Sequence, residues 1–235
     1  FRLSRASDGP AIQVFAMVDR KLNVMTELAK VLVIPGWHGS GAAHWQTIWE
    51  KRYPDFRRVN QRSWDEPNLR EWLSELNADI RKADGPVILV AHSLGAIAVV
   101  QWACRQTSQS SVQGALLVSP PCFASGQVIP AGISNFFPVP LEPLFFPSML
   151  VASENDPYLT FQAAKSLARA WGSHLVNAGR AGHINADSGH GEWPQGEALL
   201  NDNGSPVRCD RADRHNSQLK TRYHFSSGSI WRLLM

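Results

Sequence analysis

The segment VILVAHSLGA at residues 87–96 is the strongest structural signal in this 235-residue chain. Four large apolar residues lead into Ala91, and the sequence then passes through Ser93 and Gly95 into an apolar helical pattern. A buried strand that turns directly into a helix through small-x-Ser-x-small has the pattern of a nucleophile elbow. Bulky side chains at Ala91 or Gly95 would clash with neighbouring backbone in such a tight turn. The pattern predicts that Ser93 is a nucleophile at the carboxyl edge of a sheet; a plain helix-capping serine is the alternative.

Strand and helix patterns alternate on both sides of this stretch. Further strand patterns occur at 31–35, 56–60, 115–119, 148–152 and 174–177, and helical patterns occur at 42–53, 67–83, 94–106 and 160–171. The stronger strands are apolar on both faces, which is typical of a parallel sheet covered by helices on each side. The sequence therefore predicts a three-layer α/β domain with a mostly parallel, doubly wound sheet.

The two ends of the chain differ from its middle in charge. The formal net charge is +3, but residues 25–200 carry 13 Lys and Arg against 15 Asp and Glu, a net charge of −2. The basic excess lies in residues 1–24 and 201–235. We therefore expect an N-terminal extension over 1–28, a catalytic domain over 29–200 and an atypical tail beyond it.

The composition argues against several classes of protein. No basic run is interleaved with aromatic residues, so we expect no nucleic-acid partner. No apolar run approaches the ~20 residues that span a bilayer, so we expect no membrane partner. The three cysteines are odd in number and widely spaced, which does not make a disulfide framework. Without a recognisable secretion signal, a cytoplasmic location is expected.

A serine nucleophile needs a base to take its proton and an acid to orient that base. In this type of fold the acid and then the histidine follow the serine along the chain. Asp156 follows a strand pattern and is the predicted acid, with Glu154 as the competitor. His183 lies in a small-residue loop after the next strand and is the predicted base. His190 and His174 are its rivals, and His174 is expected to be structural.

An oxyanion in such a site requires two backbone N–H donors. The residue after the nucleophile, Leu94, should supply one of them. The loop after the first strong strand should supply the other, from Trp37 or alternatively from His38.

The segment 122–147 is rich in phenylalanine and proline and follows a strong strand. It could form an apolar wall for an acyl group, with Phe123, Phe136 and Phe137 as pocket candidates together with His38. Ordinary packing of a loop over the sheet is the alternative.

The glycine-rich loop at 36–44 contains two incomplete ligand motifs. A phosphate-binding loop would require Lys and Ser or Thr where Ala42 and Ala43 stand, and a dinucleotide fingerprint would require a small residue at His44. His38 and His44 have no evident carboxylate partners in the sequence. We therefore predict neither a cofactor nor a metal.

Four stretches carry a family resemblance. They are VIPGWHGSG at 33–41, AHSLG at 91–95, SENDPY at 153–158 and GHINADSGHGEWP at 182–194. Together they resemble the small, lidless α/β-hydrolases of the retinoblastoma-binding-protein-9 group. The resemblance implies an α/β-hydrolase fold without a lid domain, a triad of Ser93, Asp156 and His183, and acyl-hydrolase activity on small substrates.

The sequence thus predicts a serine esterase that acts on a small-molecule acyl substrate through an acyl-enzyme intermediate. An amidase, peptidase or thioesterase with the same triad is the first alternative. A non-catalytic binding protein on a hydrolase scaffold is the second.

Overall fold

A computed structural model describes residues 29–106, 110–123 and 128–201. Its elements, in chain order, are β1 (Lys30–Ile34), α1 (Trp45–Arg52), β2 (Phe56–Arg58), α2 (Leu69–Lys82), β3 (Val87–His92), α3 (Leu94–Ala103), β4 (Val112–Val118), a 3-10 helix (Ala131–Phe136), β5 (Ser148–Ala152), α4 (Phe161–Trp171), β6 (His174–Asn177), a second 3-10 helix (Ala186–Ser188) and α5 (Pro194–Asn201). The predicted extension over 1–28 and the predicted tail, apart from Asn201, lie outside the described residues.

The six strands form one parallel sheet in the order β2-β1-β3-β4-β5-β6. The chain moves outward from β1 to β2 and then returns to place β3 on the other side of β1. The carboxyl ends of β1 and β3 therefore flank the point where the strand order reverses, which is where open α/β sheets bind ligands. This arrangement confirms the predicted doubly wound α/β fold.

Alternation of strand side chains gives the sheet two apolar faces. On one face, Val31, Val33 and Val90 pack with tryptophans of α1 and with Trp193 before α5. On the other face, side chains of β1, β3 and β4 pack with α2, α3 and α4. The helices therefore form two layers with the sheet between them, as the apolar strands predict.

The helices begin close to their predicted starts and end at local signals. Helix α2 begins after Asn68, whose side chain accepts a hydrogen bond from the N–H of Glu71 at 3.2 Å. Helix α4 ends at Gly172, which adopts a left-handed conformation at φ 68°. Among the described helices, none is long and apolar enough to cross a membrane.

Candidate active site

The turn between β3 and α3 is strained and tightly enclosed. Ser93 adopts φ 53° and ψ −126° there, a conformation that L-residues rarely take. A Cβ atom on Gly95 would lie 2.3 Å from the carbonyl oxygen of Ile34, so only glycine fits. A Cβ on Gly36 would lie 2.8 Å from the Cβ of Ser93. The loop after β1 therefore packs directly against the serine.

The three residues of the predicted triad lie in one hydrogen-bonded chain. The Oγ of Ser93 lies 3.0 Å from Nε2 of His183. Nδ1 of the same ring lies 3.0 Å from each carboxylate oxygen of Asp156. A carboxylate only accepts, so Nδ1 carries the hydrogen and Nε2 is left to accept from the serine hydroxyl. In this tautomer the imidazole can act as a base toward Ser93.

Hydrogen bonds connect the loop that carries Asp156, the predicted acid, to the loop that carries His183, the predicted base. Ser153 Oγ accepts from the N–H of Ala181 at 2.9 Å, and Asn155 Oδ1 accepts from the N–H of Gly182 at 2.9 Å. The acid itself accepts from the N–H of Tyr158 at 2.9 Å and has a fully buried side chain. The two loops therefore form one unit that fixes the distance between Asp156 and His183.

The competing residues lie in other environments. Glu154 accepts a hydrogen bond from the Asn177 side chain at 2.9 Å, away from the imidazole. His190 packs against Trp193, with ring centroids 6.4 Å apart. His174 lies in the edge strand β6. The structure thus brings together the first-choice residues and separates their rivals from the serine.

The geometry distinguishes the two candidate oxyanion donors of the loop after β1. The backbone N–H of His38 donates to the carbonyl of Trp64 at 3.0 Å and is therefore already used. Within the described residues, the N–H of Trp37 has no backbone acceptor. Leu94 is the first residue of α3, and first-turn N–H groups have no partner inside the helix. Trp37 and Leu94 are therefore the donors that this geometry leaves available.

The side chain of His38 has a partner that the sequence did not reveal. Its Nδ1 lies 2.8 Å from Oδ1 of Asp65, and its ring stacks on Trp37 with centroids 4.5 Å apart. The pair could not be recognised in the sequence because Asp65 lies 27 positions further along the chain. Over the described part of the chain, no group of three or more His, Cys, Asp and Glu side chains could hold a metal ion.

A cavity of about 250 Å³ is lined by residues that directly follow Asp156 and by the segment after β4. Its lining residues are Cys122, Phe123, Val128, Pro157, Tyr158, Leu159 and Thr160. The ring of Tyr158 contacts that of His183 edge-on, with centroids 4.8 Å apart, so one residue of the lining also touches the predicted base. Sequence reasoning missed Tyr158, although its place two residues after the acid was a usable signal.

The other pocket candidates lie at different depths. Phe123 lines the cavity, and Phe137 packs edge-on against it with ring centroids 5.2 Å apart. Phe136 is completely buried and contacts Trp72, with ring centroids 5.2 Å apart. Phe136 therefore belongs to the core under the site and not to the cavity wall.

Two further histidines, His92 and His44, are buried near the ring of His183. The ring of His92 lies 4.9 Å from that of His183 and 4.8 Å from that of His44. Burial, together with the positive charges that His44 and His183 can carry, lowers the pKa of His92 well below its usual value. Burial first, and then the charges of Arg58 and His183, lower the pKa of His44 to about 4. Both imidazoles are therefore neutral near pH 7.

Comparisons with known proteins agree with this architecture. A family model described as serine hydrolase matches residues 31–202. The crystal structure of a YdeN-like hydrolase from Pectobacterium atrosepticum is 33% identical, with a TM-score of 0.67, and the match covers 78% of this chain and 95% of that one. The ydeN gene product of B. subtilis is 23% identical, with a TM-score of 0.57, over 73% of this chain and 96% of that one.

A hydrolase of the α/β superfamily from Xanthomonas campestris is 18% identical, with a TM-score of 0.50, over 73% of this chain and 98% of that one. Likeness at this level of identity shows the fold alone. The search of curated proteins gave no match.

The family model covers most of the described residues, and the sheet order and elbow fit the same fold. The chain therefore belongs to the serine hydrolase family and has the α/β-hydrolase fold.

Proposed function

We propose that this protein is a serine esterase that hydrolyses small esters through an acyl-enzyme intermediate. The observation that carries the proposal is the hydrogen-bonded chain from Ser93 through His183 to Asp156, with 3.0 Å at each step. A nucleophile, a base and an orienting acid in this order are the parts that acyl transfer requires.

In the acylation step, Ser93 Oγ attacks the ester carbonyl carbon while His183 Nε2 takes the hydroxyl proton. The carbonyl oxygen becomes an oxyanion, which the N–H groups of Trp37 and Leu94 stabilise. The buried carboxylate of Asp156 stabilises the imidazolium that forms. When the tetrahedral intermediate collapses, His183 gives the proton to the leaving alkoxide, which departs as an alcohol.

Deacylation repeats the same steps with water as the nucleophile. His183 takes a proton from the water, and the hydroxide attacks the acyl carbon. Collapse of the second intermediate returns the proton to Ser93 Oγ and releases a carboxylic acid. The proposed reaction consumes ester and water and needs no cofactor.

The cavity beside Tyr158 supports an acyl-binding role. Four of its seven lining residues, Phe123, Val128, Pro157 and Leu159, have apolar side chains, and Tyr158 of the same lining contacts the ring of His183. A volume of about 250 Å³ fits a short to medium acyl chain or a single aromatic ring. We therefore propose small esters with apolar acyl groups as the substrate class.

The decisive experiment for the proposal is labelling with a fluorophosphonate probe. Wild type is expected to be labelled at Ser93, and Ser93→Ala is expected to lose the label while keeping its fold by circular dichroism. Labelling that persists in Ser93→Ala would exclude Ser93 as the nucleophile. A folded wild type that takes no label would favour the non-catalytic binding protein.

A substrate panel then separates ester hydrolysis from its alternatives. p-Nitrophenyl esters of increasing acyl length are compared with a matched anilide and a matched thioester. We expect the ester to have the highest kcat/KM and the rate to fall once the acyl chain exceeds the cavity. Faster cleavage of the anilide or thioester would replace the esterase with an amidase or a thioesterase.

A further inference from the structure

The backbone that carries the candidate base is strained. Ile184 follows His183 directly and adopts φ 48°, in the left-handed region. A β-branched residue is a genuine outlier there, and such strain persists only where the surroundings fix it. Ile184 is completely buried, so the contacts that fix it lie in the core.

Two ring N–H groups donate to consecutive carbonyls of this strained segment. Nε2 of His92 lies 2.9 Å from the carbonyl oxygen of His183, and since a carbonyl only accepts, Nε2 carries the hydrogen. Nε1 of Trp45 donates to the carbonyl of Ile184 at 2.9 Å. These two residues, the donor pair, come from β3 and α1 and contact the segment from behind.

Burying an imidazole at position 92 costs folding free energy. Its ring packs against Trp45 and His44 and lies on the same face of β3 as the buried Val90. A buried polar group costs stability unless it is hydrogen-bonded, and an aliphatic side chain would avoid that cost. The bond to the His183 carbonyl compensates for the burial, and the low pKa of His92 keeps the ring a neutral donor.

We propose that His92 and Trp45 are positioning residues that hold the main chain of His183 so that its imidazole meets Ser93. The proposal rests on the proposed function, in which His183 is the base. The acid fixes the imidazole from its Nδ1 side, whereas the donor pair fixes the backbone from which the side chain projects. Because His92 directly precedes the nucleophile, the same contact links the base to the elbow.

Two tryptophans of α1 provide a matched test of the donor pair. Trp45 and Trp49 are both completely buried, and each donates its indole N–H to a backbone carbonyl. The acceptor of Trp49 is Glu192, outside the strained segment, at 3.0 Å. Trp45→Phe and Trp49→Phe therefore remove the same atoms, but only the first change releases the base.

We expect Trp45→Phe to lower kcat on a p-nitrophenyl ester by roughly 10- to 100-fold with little change in KM, as small misplacements of catalytic groups do. Trp49→Phe should lose a similar amount in Tm but less than about threefold in kcat. Equal losses of kcat in the two variants, or no loss in Trp45→Phe, would overturn the proposal.

A second pair of variants tests His92 itself. His92→Phe keeps a ring but loses the donor, whereas His92→Gln keeps an amide N–H that can reach the same carbonyl. Expected is a kcat loss of roughly 10- to 100-fold in His92→Phe and substantial recovery in His92→Gln. Equal kcat in both variants would show that the donor has no positioning role. This pair decides the question if Trp45→Phe does not fold.

Crystal structures of the same variants give a readout that does not depend on turnover. Nε2 of His183 lies 3.0 Å from Ser93 Oγ in the present structure, and in His92→Phe we expect this distance to exceed hydrogen-bond length. An unchanged distance overturns the positioning role even if the enzyme proves inactive on every ester. An inactive wild type with a lengthened distance in the variant contradicts the proposed function alone.

Discussion

His183 and His92 are two buried imidazoles whose ring centroids lie only 4.9 Å apart, yet their surroundings differ in kind. His183 has a carboxylate on one ring nitrogen and the hydroxyl of Ser93 on the other. His92 donates to a backbone carbonyl and contacts the edge of His44. In the proposed mechanism the first ring exchanges protons, and the second keeps its proton.

The contrast shows that burial and proximity to the serine do not make a base. A carboxylate stabilises an imidazolium, so a proton taken from Ser93 has a favourable destination on His183. A neutral carbonyl offers less stabilisation, and the neighbouring His44 and His183 oppose a charge on His92. The partner on the far nitrogen therefore decides which role each ring can take.

The largest expected effect comes from making the same change at both rings. His183→Gln should lower kcat by roughly 10⁴- to 10⁶-fold, because glutamine cannot take the serine proton. His92→Gln should lower kcat by less than about tenfold, because its amide can still donate to the carbonyl. Both values come from ester hydrolysis at saturating substrate, with circular dichroism as the control for folding.

Comparable losses in these two variants would contradict the division of roles. So would a His183→Gln variant that retains most of its activity, since another base would then have to serve Ser93.

A smaller effect is expected from the two carboxylates of the acid loop. Asp156→Asn should lower kcat by roughly 10³- to 10⁴-fold, because an amide favours the wrong imidazole tautomer and cannot stabilise the imidazolium. Glu154→Gln should change kcat by less than about threefold, since Glu154 bonds to Asn177 and not to the base. The check is kcat at one pH for both variants, and a larger loss in Glu154→Gln would reverse the assignment.

Sequence patterns predicted the parts of this site that depend on local sterics. Close packing of the elbow requires small residues beside Ser93. A larger side chain at Gly95 would collide with the carbonyl oxygens that lie next to it. The proposed acid and base follow strand ends in a fixed order, so the positions of Asp156 and His183 could also be predicted.

The contacts behind the base could not be predicted, because they join residues far apart in the chain. Trp45 meets the Ile184 carbonyl across 139 positions, and His92 meets that of His183 across 91. Nothing in either local pattern specifies such a partner. The structure of the segment 122–147 could not be predicted either. Its 3-10 helix (Ala131–Phe136) depends on packing against α3 and has no periodic sequence pattern.

A third prediction concerns His44, the ring on the far side of His92. The pKa of His44 is about 4 when folded and near 6.5 when unfolded, so the unfolded chain takes the proton first. The free energy of unfolding should therefore be greatest above pH 6.5 and fall as the pH drops towards about 4, on the order of 1 kcal/mol per pH unit. His92 acts in the same direction below pH 6.5.

His44→Asn is the matched variant, because asparagine is also a good helix N-cap and cannot take the proton. Urea unfolding between pH 4.5 and 7.5 should show a shallower decline in the variant. The charged groups facing His44 are Arg58 and His183, and both disfavour its protonation. A wild-type stability that stays constant over this range would contradict the burial of a neutral imidazole.

Tyr158 and His92 both contact the ring of His183, and the smallest change in kcat is expected at Tyr158. Tyr158 contributes an aromatic edge to His183, and within the described residues its hydroxyl has no hydrogen-bond partner. Tyr158→Phe should therefore change kcat and KM by less than about twofold, because the ring contact and the cavity wall are kept.

Tyr158→Ala removes both the ring contact to His183 and this part of the cavity wall. We expect KM for short acyl esters to rise by roughly three- to tenfold while longer acyl chains become better substrates. The measurement is kcat/KM over the acyl-length series for wild type and both variants. A large kcat loss in Tyr158→Phe would mean that the hydroxyl takes part in the reaction. An unchanged length preference in Tyr158→Ala would place the acyl group outside this cavity, because widening a wall that the acyl chain touches must alter which chains fit.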